Sequence, residues 1–481
     1  MSRSLVSSRA AVPLGLAALT GLTVALRLPF LGSIGPDEGG YAYVASEWAH
    51  GDQLYRTIWI DRPQGLLLVY RVLLSFGQDA AAIRAGAVAA AALIAVLLFA
   101  IGWVIGGRLL GAVAASLYAV VGVAPQIEGF TFNGELAAAV PATAAVAVAA
   151  LALVRPRVRW FALAGLLGGL GVVMKQSGFD GLLVALAVAG FAGGDRRTRA
   201  RRLAVTAAGE AVPVAASVLA GLQAGWPSYW SALVGWRLGS AGLAARVAPA
   251  DELVDRLSAG PGRAVQPLVA IALLGGILAV RRRRWIPGLW ALAAFLGFNA
   301  GGLYWPHYAV QLVAPVCLLI AEALVTLRRT ALVAAAAAAV AAPTILFVAR
   351  LQDLSDVRAD ALVPYATGYD NDLRVAGWVR RHTHASDTIY VLESRADIYF
   401  LADREAPFPY LWSHPLHAIP GALGRLERLL ASPGRPRLVI EYQRPDRRVA
   451  RILRNDYFIA WRDPTTRVPV WRSRPARALV E

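Results

Sequence analysis

The 481-residue chain is nearly devoid of cysteine and lysine. Its single cysteine, Cys317, rules out an intrachain disulfide and lies in an apolar run, where helix packing is its plain role. Of 48 lysine and arginine residues only Lys175 is a lysine. Charged residues make up 16% of the chain against 57% hydrophobic, a balance that excludes an ordinary soluble domain. Also missing are a P-loop, a dinucleotide fingerprint, an HExxH zinc helix and a GxSxG elbow. No small-residue cleavage site follows the first apolar run, so that run reads as a signal anchor rather than a removed signal peptide.

What is present is a series of apolar runs near 11–31, 85–106, 109–125, 135–154, 160–174, 178–194, 203–224, 264–280, 285–303, 309–327 and 331–349. Read as crossings, they make a polytopic α-helical membrane protein of about eleven spans. The net charge of +17 points away from nucleic acid, because the arginines cluster between runs: Arg155/Arg157/Arg159, Arg196 to Arg202, Arg281 to Arg284, and Arg328/Arg329. Positive-inside placement makes those loops cytoplasmic, together with the N-terminus, and puts the C-terminal part outside. The division falls at 349/350. From 350 to 481 charges become frequent; 370–383 and 423–430 have helical spacing and 388–392 and 438–442 strand character, which predicts a small α/β domain. His382, His384, His414 and His417 lack ligand spacing and read as surface histidines.

Function is sought among polar residues on the predicted outer side. Asp37-Glu38 follows the first run at once, and a carboxylate pair at a bilayer rim is costly unless it meets a cation, a proton or a substrate. A solvated acidic loop is the bland alternative. The first outer loop, 32–84, is longer than a connection needs and holds amphipathic stretches through Trp48 and over 66–76, predicted to lie flat in the interface. Within it Pro63 biases Arg62 toward an extended backbone, where the guanidinium presents a planar fork to a phosphate, with lipid headgroups as the blander alternative. Glu135 opens the fourth span, as either a dipole-favoured cap or a ligand. Lys175, at the outer end of the fifth span, suits a phosphate oxygen or a buried carboxylate, with a snorkelling anchor as the alternative. In Pro306-His307-Tyr308, followed by Gln311, a helix starting near Pro306 would put His307 and Gln311 on one face at the start of a span. Acids beside phosphate-binding cations fit transfer of a group from a lipid phosphate to a hydroxyl.

The order of these motifs resembles a family. Asp-Glu after the first span, a basic-Pro element in a long first loop, Asn-x-Glu before the fourth span, Gly-x-x-x-Lys-Gln-Ser around the fifth and Pro-His-Tyr-x-x-Gln-x-x-x-Pro near a late span are similar to the GT-C membrane glycosyltransferases. The branch is that of protein O-mannosyltransferases and the lipid A aminoarabinose transferase, over roughly 10–350. The resemblance implies Asp37 as catalytic base, Glu38 supporting it, Arg62 and Lys175 on the donor phosphate, His307, Tyr308 and Gln311 at the donor cavity, and Glu135 touching sugar or acceptor. Arg62-Pro63-Gln64 departs from the family's Lys-Pro-Pro. The implied donor is a polyprenyl-phosphate sugar, and the acceptor a glycan, glycolipid or protein, at a bacterial plasma membrane. Some relatives bind a divalent ion; Asp61 is a candidate contributor, but no closed ligand set is legible and no metal is predicted. A transporter or flippase, or a polymerase or ligase of polyprenyl-linked glycans, is the rival reading; a transporter would more often carry repeated halves, and none is found.

Overall fold

The computed structural model describes residues 3–236, 261–300, 305–327, 368–392 and 395–475. The apolar runs fold as helices α1 (Arg3–Ala25), α4 (Ala80–Gly106), α5 (Arg108–Val121), α6 (Gly134–Val154), α7 (Val158–Met174), α8 (Asp180–Phe191), α9 (Arg196–Gly221), α11 (Pro261–Arg281), α12 (Ile286–Ala300) and α13 (Val310–Leu327). Among the described residues five segments are long and apolar enough to cross a membrane: Val12–Phe30, Ala80–Gly106, Gly134–Val154, Arg196–Ala224 and Pro306–Leu327. The others are shorter apolar helices, so eleven full crossings do not follow from length. The expected run 331–349, the domain division, and Arg328/Arg329 lie outside the described residues.

Local chemistry explains the helix starts. Asp79 Oδ1 accepts the Ala82 N–H, Asn133 Oδ1 the Leu136 N–H and Asp195 Oδ1 the Thr198 N–H, each at 2.9 Å, satisfying donors that a helix start leaves without partners. Small residues bring backbones together: a Cβ on Gly102 of α4 would meet the Gly111 backbone of α5, and one on Gly168 of α7 would meet Leu182 of α8. At one end of the bundle Arg284 pairs with buried Glu322 at 3.0 Å, and Arg202 donates to the Gly193 carbonyl at 2.7 Å. The described arginine clusters, Arg155 to Arg159, Arg196 to Arg202 and Arg281 to Arg284, gather at that end. The loops bearing the candidate site gather at the other.

The first of those loops contains α2 (Pro36–His50) and α3 (Gln64–Leu74). Here α2 departs from expectation. It is enclosed, with Glu38 to Ala45 buried, rather than lying flat against lipid. The short helix α10 (Trp226–Trp230) follows α9 at the same end.

The C-terminal part of the chain has a four-stranded sheet, ordered β1 (Ile389–Leu392), β2 (Leu438–Glu441), β4 (Pro469–Ser473), β3 (Tyr457–Arg462). Strands β1 and β2 are parallel with Ile389 opposite Leu438; β4 runs antiparallel to both β2 and β3. Helices α14 (Tyr369–His382), α15 (Asp397–Ala402), α16 (Ser413–Ala418), α17 (Ala422–Leu430) and α18 (Arg447–Asp456) complete it. Alternation puts Ile389 and Val391 toward one core and Tyr390, Leu392 and Val439 toward a second with Leu426, Leu430 and Leu453. The expected α/β character holds, and β3, β4 and α18 were not foreseen.

Two adjacent glycines join the halves. A Cβ on Gly39 would collide with Asp397, and one on Gly40 would lie 2.6 Å from the Trp412 ring and 2.8 Å from Ala396 Cβ. Only a bare backbone lets α15 and the Trp412 loop approach α2 this closely.

Candidate functional site

Gly35 in extended conformation and Pro36 at the first helical position start α2, so Asp37 and Glu38 occupy its first turn, where the dipole favours carboxylates. Successive helical residues turn by about 100°, and the two acids part company. Glu38 is 1% exposed: Oε2 accepts the Gly35 N–H at 2.9 Å and pairs with Arg84 Nη2 at 3.0 Å, while Oε1 accepts the Phe132 N–H at 2.7 Å. It ties the first loop to α4 and to the loop before α6. Asp37 opens on the cavity, which Glu38 also borders, and its Oδ1 accepts the Trp412 indole N–H at 3.0 Å. Burial pushes its carboxyl above the ordinary range; His307, the Trp412 bond and Arg62 pull it back, and Glu128 pushes with burial.

Arg62 is buried and pairs with Asp61 Oδ1 at 2.6 Å. Its backbone is held in place, because Tyr55 Oη donates to the Arg62 carbonyl at 2.9 Å and Gln176 Nε2 to that of Asp61 at 2.8 Å. Its Nε has no hydrogen-bond partner among the described residues. A Cβ placed on Gly134 would lie 3.5 Å from Arg62 Nε and 3.6 Å from Lys175 Cδ, so the two cations flank the Asn-Gly-Glu turn at the start of α6.

At the cavity wall and behind it the acids and bases form a chain. Lys175 pairs with Glu135, and its Nζ stands 3.9 Å from the centre of the Tyr308 ring. His307 Nε2 lies 3.9 Å from Glu135 Oε1, and its Nδ1 lies 3.3 Å from Glu128 Oε2. Glu128 occupies a left-handed loop position with φ 52°.

Gln311 stands elsewhere. Pro306–Ala309 is a 3-10 turn, so the α-helix begins at Val310 and His307 and Gln311 do not share its face. Gln311 Nε2 donates to the Ser177 carbonyl at 2.8 Å and to Asp180 Oδ1 at 2.9 Å, while Trp290 Nε1 donates to Asp180 Oδ2 at 2.7 Å. This places Gln311 in a buried brace joining α8, α12 and α13, outside the cavity lining.

The cavity holds about 520 Å³. Asp37, Glu38, Arg62, His307 and Tyr308 line it from the membrane half; Glu135, Lys175 and Gln311 do not. Arg395, Trp412, His414 and Gln443 close it from the C-terminal part of the chain. Nothing in the sequence marks Arg395, Trp412 or Gln443 for the site; His414, expected at the surface, is exposed and also lines the cavity. Asp61 is engaged by Arg62, and among the described residues no group of three or more His, Cys, Asp or Glu side chains is arranged to hold a metal ion.

No protein-family model and no curated protein sequence matches the chain. Solved structures do. ArnT from Cupriavidus metallidurans in the apo state is 16% identical, covers 97% of this chain and 98% of its own, and has a TM-score of 0.65. The same protein bound to undecaprenyl phosphate is 15% identical over the same shares, with a TM-score of 0.62. The archaeal oligosaccharyltransferase AglB from Archaeoglobus fulgidus, in complex with an inhibitory peptide and a dolichol-phosphate, is 13% identical over 89% of this chain and 68% of its own, at 0.52. Likeness at such identities is one of fold. The chain has the fold of the GT-C membrane glycosyltransferases.

Proposed function

We propose that this GT-C-fold protein is an inverting glycosyltransferase. It moves a hexose or pentose from a polyprenyl-phosphate donor to a hydroxyl of a cell-envelope glycan, glycolipid or protein, at the outer face of a bacterial plasma membrane. The observation that carries the reading is one cavity where Asp37 faces Arg62 and His307, at the bundle end remote from the arginine clusters. The structural neighbours bound to undecaprenyl phosphate and dolichol-phosphate support a lipid-phosphate donor.

In this mechanism the Asp37 carboxylate takes the proton of the acceptor hydroxyl as its oxygen attacks C1 of the sugar. The C1–O bond to phosphate breaks on the opposite side, its electron pair leaves on the phosphate, and the configuration at C1 inverts. Arg62, with an Nε free of protein partners among the described residues, neutralises the departing phosphate. His307 adds positive charge when protonated, and Lys175, outside the cavity lining but beside Arg62 at Gly134, adds its charge to the field at the phosphate. Glu38 holds the loop that carries Asp37. A base with a raised pKa shares the proton better near neutrality than an ordinary aspartate.

The test uses vesicles carrying the full chain and a labelled polyprenyl-phosphate sugar. Active protein converts donor to free polyprenyl phosphate and glycosylated acceptor. Asp37→Asn, inserted and folded, loses about 10²–10⁴-fold of that rate. Near-normal transfer by this variant would remove Asp37 from the mechanism, and donor that crosses the bilayer unconsumed would identify a transporter.

A further inference from the structure

The loop that closes the cavity is built into the first outer loop rather than resting on it. Tyr43 Oη accepts the Ala406 N–H at 2.7 Å, the Trp59 N–H donates to the Pro409 carbonyl at 3.2 Å, and the Trp59 and Tyr410 rings meet at 5.5 Å. Gly40 then lets the Trp412 ring settle on α2, with its centre 6.1 Å from that of Tyr41. These contacts fix the indole. Its N–H, a donor with no acceptor capacity, points at Asp37 Oδ1 at 3.0 Å. Among the described residues no hydrogen bond engages Asp37 Oδ2.

From this arrangement we infer that Trp412 is a positioning residue for Asp37, so that the C-terminal domain supplies part of the working site. By holding Oδ1, the indole turns Oδ2 to the cavity, where an acceptor hydroxyl would present its proton, and it favours the ionised carboxylate. The inference rests on the proposed role of Asp37 as base. The other charged groups around Asp37 come from separate elements: Arg62 ahead of α3, Glu128 ahead of α6, His307 ahead of α13, and Arg395 across the cavity. The Trp412 bond is the sole contact among these that acts on one oxygen of Asp37 and not on the charge of the whole group.

The experiment measures sugar transfer against pH for the full chain, for Trp412→Phe and for Asp37→Asn, in vesicles with a polyprenyl-phosphate sugar. Trp412→Phe is expected to lower kcat about tenfold to a hundredfold, to leave the donor KM within about twofold, and to move the acid limb of the kcat profile to higher pH. A Trp412→Phe profile superimposable on that of the parent, with Asp37→Asn inactive, overturns the role of Trp412 alone. Active Asp37→Asn overturns the underlying reading instead. If Trp412→Phe loosens the domain, seen as faster proteolysis, benzothienylalanine at position 412 carries the test, because it replaces only the N–H by sulfur. The same acid-limb shift supports the inference and an unshifted limb defeats it.

Discussion

Arg84 Nη2 lies 3.0 Å from Glu38 Oε2 in a fully buried pair, which binds the acidic turn of α2 to the start of α4. Half of the acidic dyad therefore serves the fold. Glu38→Gln or Arg84→Met leaves a buried charge without its counterpart, at a cost of about 3–5 kcal/mol. Thermal unfolding in detergent should show a large loss for each single variant and partial recovery in the Glu38→Gln/Arg84→Met pair. Independent, additive losses would mean the two side chains are not coupled.

The pH dependence of transfer follows from Asp37. A base works only when ionised, and burial lifts this carboxyl above the ordinary range, so kcat/KM should fall as pH drops through a midpoint above the usual value of about 4. A profile still flat at that pH would exclude Asp37 as the base whose ionisation is being read.

Glu47 predicts the opposite sign for docking of the C-terminal domain. Burial first, then the neighbouring Glu405 and Asp52, raise its carboxyl from the ordinary 4.5 to about 7. Docked protein keeps a proton that an undocked, solvated Glu47 would lose, so docking is strongest below 4.5 and weakens as pH rises through about 7. Protease cleavage between the halves should accelerate across that window. Glu47→Gln should abolish the dependence.

Gly39→Ala should separate the domains and abolish transfer, because the new methyl collides with Asp397. Gly288→Ala, in α12 with nothing near its added Cβ, is the control and should unfold like the parent or slightly above it. Equal proteolysis of the two variants would refute the close approach.

Lys175→Ala should weaken donor affinity more than acceptor affinity, as read by separate KM values. It also strands buried Glu135, so Lys175→Ala/Glu135→Gln should recover stability without recovering the donor KM. A double variant with the parental donor KM would reduce Lys175 to a structural counter-ion.

Much of the site is visible in one dimension. Asp37, Glu38, Arg62, Glu135, Lys175 and His307 stand out because a charge beside membrane-length apolar runs is expensive and rare. Their division of labour is not visible. Adjacent helical residues face different neighbours, which sends Glu38 to Arg84 and Asp37 to Trp412. The i, i+4 argument failed for His307 and Gln311 because it assumed an α-helix where Pro306 begins a 3-10 turn. Trp412 gives no sequence signal at all: it is 375 residues from Asp37 and sits in an unremarkable loop.

By itself the amino-acid sequence determined that this is a many-helix membrane protein, which end of the bundle collects arginine, and which polar residues share the other end. Those are consequences of run length and charge order, properties that a bilayer reads locally. Only the tertiary structure decided that Glu38 is a structural tie, that Lys175 is held by Glu135, and that the C-terminal domain closes the cavity over Asp37. Such pairings depend on distant segments meeting, Asp397 and Trp412 against Gly39 and Gly40 and the Arg62 and Lys175 side chains beside Gly134, and such close approach leaves no periodic trace along the chain.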